Sequence, residues 1–130
     1  MGLKKILIVD DNDDFRAMLK EYLKKNNLGF EIFEASTGEM GVAKAACVRP
    51  DIVLMDINLP HSTGLEATEQ IKGDHPDCDV IILTMFEVKV FKEAARRIKA
   101  TDFIGKSEID GRLVPAIKRC LKSKIVNRRK

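Results

Sequence analysis

Ile52-Val53-Leu54-Met55-Asp56 is a short apolar run closed by an acid. It is rich in branched aliphatic residues and bounded by Asp51 and Asp56. It therefore reads as a strand buried on both faces. The same pattern recurs on either side. Ile6-Leu7-Ile8-Val9 precedes Asp10-Asp11, and Val80-Ile81-Ile82-Leu83 precedes Thr84. Phe30-Glu31-Ile32-Phe33-Glu34 alternates only partly, which suits a strand at a sheet edge. Thr101–Gly105 is a weaker fifth strand.

Helical patterns fill the intervals. Phe15, Met18, Leu19, Tyr22 and Leu23 fall at i, i+3, i+4, i+7 and i+8, which makes one apolar face. Thr37 to Val48, Leu65 to Lys72 and Val88 to Ile98 are the next three helices. Ile109, Leu113, Ile117, Cys120 and Leu121 mark the last. Pro115 lies near its start, so the helix is expected to begin nearer Gly111–Val114 than Ile109. The order is strand–helix repeated five times. That alternation predicts an α/β fold: a doubly wound parallel sheet with helices on both faces and right-handed crossovers. In such folds chemistry sits beyond the carboxyl ends of the strands.

Composition agrees. The chain has 130 residues, enough for one domain with a core of its own. It has no Trp and one Tyr, so that core must be aliphatic. Cys47, Cys78 and Cys120 are three and form no CxxC pair, which argues against a disulfide framework or zinc site and fits a reducing cytosol. The apolar runs are too short to span a bilayer. Seven basic residues and no acids follow Ala116, including Lys118, Arg119 and Lys122, so a net charge of +3 leaves −4 on the preceding part. A mildly acidic body with a basic tail is not the broad basic face of a nucleic-acid binder. The expected division is a domain over 1–124 and a basic tail or linker start over 125–130.

The strand ends carry the chemistry. The first ends in Asp10-Asp11, the third in Asp56 and the fourth in Thr84, and the fifth is followed by Lys106. All can face one crevice. Two like charges about 4 Å apart repel by roughly 4 kcal/mol at an effective dielectric near 20. Three carboxylates therefore call for a cation. Lys106 offers one charge, and Mg²⁺ is the usual divalent partner where phosphate oxygens join the shell. A carboxylate beside Mg²⁺, a lysine and a hydroxyl is equipped for phosphoryl transfer as the nucleophile. Singly, each residue also has an ordinary structural reading. An Asp-Asp pair before a helix caps it, a lone Asp after a strand turns the chain, and a strand-end Thr reflects β propensity. Four suitable residues at four suitable strand ends favour the joint reading.

The segments Ile8-Val9-Asp10-Asp11-Asn12, Asp51–Pro60 with Gly64, Ile82-Leu83-Thr84 and Asp102-Phe103-Ile104-Gly105-Lys106 together resemble the receiver domains of two-component response regulators, across essentially the whole chain. The resemblance implies a flavodoxin-like strand order of 2-1-3-4-5. It implies Asp56 as the phosphoacceptor, Asp11 as a direct Mg²⁺ ligand, Asp10 as one through water, and the Asn58 backbone carbonyl as another. Thr84 and Lys106 would contact the phosphoryl group, and Phe103 would turn inward as the aromatic switch. Without the resemblance, Phe103 reads as core. The donor would be a phosphohistidine on a histidine kinase or phosphotransfer protein. Output would pass through the fourth helix, fifth strand and fifth helix, with phosphorylation-dependent homodimerisation there and DNA reached only through an effector domain. The phosphoryl lifetime would depend on surroundings that include Asn58 and Phe86.

Two positions depart from the family pattern. Met85 stands where a small residue is usual, and its bulk is expected to restrict access to Asp56. Ser107 stands where a proline in a cis bond is usual. A cis bond without proline costs about 2.5–4 kcal/mol, so either the bond is trans or the fold enforces the strain. A receiver-like scaffold that is never phosphorylated is the first rival reading, and the intact residue set argues against it. An aspartyl phosphatase would want a second Asp where Asn58 stands. A flavin carrier would want a phosphate loop where five residues hold four acids, Asp10 to Asp14.

Overall fold

The computed structural model describes residues 3–85 and 88–128, with side chains through residue 123. Phe86 and the tail residues Arg129 and Lys130 lie outside the described residues. Five strands alternate with five helices: β1 (Lys4–Val9), α1 (Asp13–Lys25), β2 (Phe30–Ala35), α2 (Gly38–Val48), β3 (Ile52–Asp56), α3 (Gly64–Asp74), β4 (Asp79–Thr84), α4 (Lys89–Arg97), β5 (Asp102–Gly105) and α5 (Ile109–Arg128). All pairings are parallel and the order is β2-β1-β3-β4-β5.

Side chains alternate across each strand, and the core divides accordingly. Ile6, Ile8, Ile52, Leu54, Ile81, Leu83 and Ile104 face Leu19 and Leu23 of α1 and Leu113 and Ile117 of α5. Leu7, Val9, Val53, Met55, Val80 and Ile82 face the other way, against Ala45 of α2, Ala67 and Ile71 of α3, and Ala95 of α4. The three central runs are buried throughout, which is why they are apolar without alternation. Small residues draw the second layer close. A Cβ on Gly41 would stand 2.9 Å from Val9 Cγ2, so α2 lies against β1 at a distance only glycine permits.

Polar side chains start three helices. Asn12 accepts from Phe15 N–H, Thr37 from Met40 N–H and Thr63 from Glu66 N–H, each satisfying an otherwise orphaned donor. The expected elements differ from the structure in details. Met18 is 44% exposed because it sits on the flank of α1, while Leu19 and Leu23 make the buried stripe. β5 begins at Asp102, since Thr101 ties the chain to β4 by donating its N–H to Val80 O at 2.7 Å. The expected late start of α5 is overturned. A 3-10 turn over Lys106–Glu108 runs straight into a helix beginning at Ile109. Ile109 and Leu113 are buried one turn apart and hold that first turn on the core. Pro115 removes one donor, and its would-be acceptor belongs to exposed Gly111, where water can serve. The backbone of α5 remains helical through Arg128. Among the described residues, no helix is long and apolar enough to cross a membrane.

One polar atom breaks the pattern. Thr68 is fully buried in α3, and its hydroxyl is the one buried side-chain polar atom without a hydrogen-bond partner among the described residues. An unsatisfied buried hydroxyl costs about 1–3 kcal/mol. Thr68→Val keeps the branched shape and removes the orphan. Chemical denaturation should show a gain of about 1 kcal/mol; a loss would mean the hydroxyl has a partner.

Candidate functional site

The carboxyl ends of β1, β3, β4 and β5 line up because the register is fixed. Val9 pairs with Met55, Asp56 with Leu83, and Thr84 with Gly105. The residue that follows or closes each strand therefore borders one crevice. Asp10, Asp11 and Asp56 come together there, with one carboxylate oxygen from each within 4.8 Å of the others. Asp10 and Asp56 are buried and Asp11 is exposed. Lys106 reaches in from the end of β5. Its Nζ lies 2.7 Å from Asp10 Oδ2 and 3.7 Å from Asp56 Oδ1. The same ammonium sits 4.0 Å over the ring of Phe15, a cation–π contact that helps hold it.

Asp10 is immobilised. Its Oδ1 accepts from Asn12 N–H at 2.9 Å, its Oδ2 takes Lys106, and its own N–H donates to Ala35 O at 3.1 Å. Because Asn12 caps α1, Asp10 and Asp11 are released from capping, the ordinary reading of such a pair.

Asp56 is set by the β3–α3 loop. Gly64 N–H donates to Ile57 O at 2.8 Å, and Asn58 pairs with Thr63 in an antiparallel bridge. Ser62 N–H returns to Pro60 O at 2.8 Å across His61, whose φ of +68° closes a tight turn. A Cβ on Gly64 would lie 1.8 Å from the backbone oxygen of Asp56, so α3 starts directly against the acid's own main chain. Burial pushes the Asp56 carboxyl up to about 6, and Asp10 adds to the rise. Lys106 and the Asn58 N–H oppose it, while Asp11 adds a smaller push upward.

Thr84 closes β4, buried, at the neighbouring strand end. Phe103 is only 7% exposed and belongs to the apolar layer that includes Ala67 and Ile71 of α3 and Ala95 of α4, so its ring is turned inward. Met85 is 71% exposed, so its bulk is not packed into the crevice. The Lys106–Ser107 bond is trans. A 3-10 turn over Lys106–Glu108 carries the chain where a proline would otherwise steer it. Two contributors escaped the sequence reading. Phe15 counted only as part of an apolar helix face, and Arg16 carried no assignment. The structure puts Phe15 under Lys106 and Arg16 against the Asp10 carbonyl at 2.5 Å.

Three carboxylates against one ammonium leave a net charge of about −2, which one divalent cation would balance. The donors are all oxygen, the ligand type suited to Mg²⁺, Mn²⁺ or Ca²⁺. The residues present thus fit the group.

Two substitutions test this geometry. Gly64→Ala should cost about 3 kcal/mol in chemical denaturation, because backbone, not a yielding side chain, fills the space; a loss under 1 kcal/mol would mean the loop moves freely. Asp56 supplies a pH test. Its folded-state value lies above the ordinary 3.8, so the folded chain binds the proton more tightly, and stability falls as pH rises from about 4 through about 6. Asp56→Asn removes that loss. In EDTA its melting temperature should exceed wild type at pH 7.5, by an amount worth roughly 2–3 kcal/mol, and the gain should vanish near pH 4. An equal difference at both pH values would refute the assignment.

Comparison with known proteins agrees with this geometry. The family model described as the response regulator receiver domain matches residues 6–118. The chemotaxis protein CheY of Thermotoga maritima is 34% identical over 120 residues, covering 92% of this chain and 98% of that protein. The response regulator GacA of Pseudomonas syringae is 32% identical over 114 residues, covering 88% of this chain but 53% of that protein. The chain thus spans about half the length of some relatives it matches. A CheY-like receiver domain from Methanospirillum hungatei superposes with a TM-score of 0.87 at 28% identity, covering 97% of this chain and 99% of that one. The strand order, the register and the matched span together place this chain in the family of response regulator receiver domains.

Proposed function

We propose that the chain accepts a phosphoryl group on Asp56 from a phosphohistidine of a histidine kinase or phosphotransfer protein, in a Mg²⁺-dependent reaction. The observation that carries this reading is the convergence of Asp10, Asp11 and Asp56 with the Lys106 ammonium 3.7 Å from Asp56 Oδ1. An Asp56 carboxylate oxygen attacks phosphorus, the P–N bond to the donor imidazole breaks, and the ring nitrogen leaves with the electron pair. No base is needed, because the nucleophile reacts already ionised; with the Asp56 carboxyl pushed up to about 6, that form dominates at neutral pH. Asp11 would ligate Mg²⁺ directly and Asp10 through water, with the Asn58 backbone carbonyl as a further ligand. Bound there, Mg²⁺ neutralises charge on the phosphoryl oxygens. Lys106 pairs with one of those oxygens, and the Thr84 hydroxyl donates to another.

Thr84 and Phe103 form the switch in this reading. A phosphoryl group that bonds Thr84 favours the arrangement with Phe103 inward, and it shifts the population only by its differential affinity for the two states. Output passes through α4, β5 and α5, by homodimerisation or a partner, and DNA is reached only through an effector domain. Residues 1–124 are the acceptor unit, 125–130 a basic tail or the start of a linker, and the setting is cytoplasmic.

Intact mass after incubation with acetyl phosphate and Mg²⁺ tests this reading directly. Wild type should gain one phosphoryl group, Asp56→Asn none, and EDTA should abolish the gain. No gain by wild type, even as Met85→Ala, would favour a scaffold that works unphosphorylated.

A further inference from the structure

Arg16 lies beneath the acidic loop in the second turn of α1, its side chain only 13% exposed. Its guanidinium spans three acceptors. Nη1 donates to the backbone oxygen of Asp10 at 2.5 Å, Nη2 pairs with Asp13, and Nε donates to Glu34 Oε1 at 3.1 Å. Glu34 projects from β2 and takes Lys20 Nζ at 3.1 Å on its other oxygen. Burial alone would push the Glu34 carboxyl up, but hydrogen bonds from Lys20 and Arg16 hold it below its ordinary value. The anchor of Arg16 is therefore an ionised group on the sheet edge. Since Asp10 N–H donates to Ala35 O, the main chain at Asp10 is gripped through β2 on one side and α1 on the other.

We propose that Arg16 is a positioning residue for the metal-binding loop: held by Glu34, it fixes the main chain at Asp10 and Asp11 and so sets the affinity for the divalent cation. This inference rests on the metal-binding reading above. Mg²⁺ tolerates little departure from octahedral geometry. Asp11 is exposed, so the placement of its carboxylate follows from the main chain that precedes it. Outer-shell groups that orient ligands typically govern affinity by 10–100-fold.

The sign of the effect separates positioning from charge. A guanidinium near a divalent cation repels it, so removing that charge should by itself tighten binding. Losing the grip on the Asp10 carbonyl should weaken binding. Lysine keeps the charge but offers a single ammonium, which cannot reach three acceptors as a planar fork does.

The test is a Mg²⁺ titration of the metal-free chain followed by the backbone amide resonances of Asp10 to Asn12. It compares wild type, Arg16→Gln, Arg16→Lys, Glu34→Gln and Lys20→Gln, with melting in EDTA confirming that each is folded. We expect the Mg²⁺ Kd to rise about tenfold in both Arg16 variants, less in Glu34→Gln, and to stay within twofold in Lys20→Gln. Should Arg16→Gln fail to fold, Arg16→Lys and Glu34→Gln carry the comparison. Unchanged or tighter binding in the Arg16 variants, or equal weakening in Lys20→Gln, overturns the inference while leaving the metal site standing. No binding by wild type overturns the metal reading and this inference with it.

Discussion

Three carboxylates share a space in which one oxygen of each lies within 4.8 Å of the others. At these separations each pair repels by a few kcal/mol at an effective dielectric near 20. No chain would keep such a cluster unless something opposed it. Lys106 opposes part of it, paired to Asp10 and within 3.7 Å of Asp56. Asp56 feels both effects: burial first, and then the Asp10 charge, push its carboxyl up to about 6 despite Lys106. The folded state thus gathers negative charge in a partly buried crevice at the carboxyl end of the sheet.

Holding that cluster together falls largely to uncharged parts of the molecule. The parallel register brings four strand ends to one line, and the buried central strands make slippage costly, since a one-residue shift would turn every side chain to the wrong layer. Gly64 lets α3 begin against the backbone of Asp56, so the acid is braced from behind. Phe15 stands under the Lys106 ammonium, and Asn12 spares the adjacent acids from capping. The braces come from the sheet, from α1 and from α3, so the site's geometry is a property of the whole fold.

The apolar runs at 6–9, 52–55 and 80–83 were legible because burial on both faces leaves no other composition open to a central strand. The acids and the threonine that end them were legible for the converse reason: a charged or polar group that closes such a run marks the end of the strand, where the apolar core stops. Other features were hidden. The start of α5 depended on whether Ile109 and Leu113 could reach the core, which local proline rules do not address. Met18 fits the apolar period of α1 yet stands 44% exposed, because only contact with the sheet decides how wide the buried stripe is. Met85, bulky on paper, is exposed.

The sequence by itself determined the α/β alternation, the core strands and the residues that meet at their ends, since hydrophobic period and strand-end position are local patterns. Only the tertiary structure decided how those residues act on one another. Lys106 is 96 positions from Asp10 along the chain, and Arg16 is 18 from Glu34. Their pairing, the burial and charge that lift Asp56, and the grip of Arg16 on the loop arise from the sheet order β2-β1-β3-β4-β5 and the helices packed on it. Charge interactions depend on distance in space, and that distance exists only once the sheet has formed.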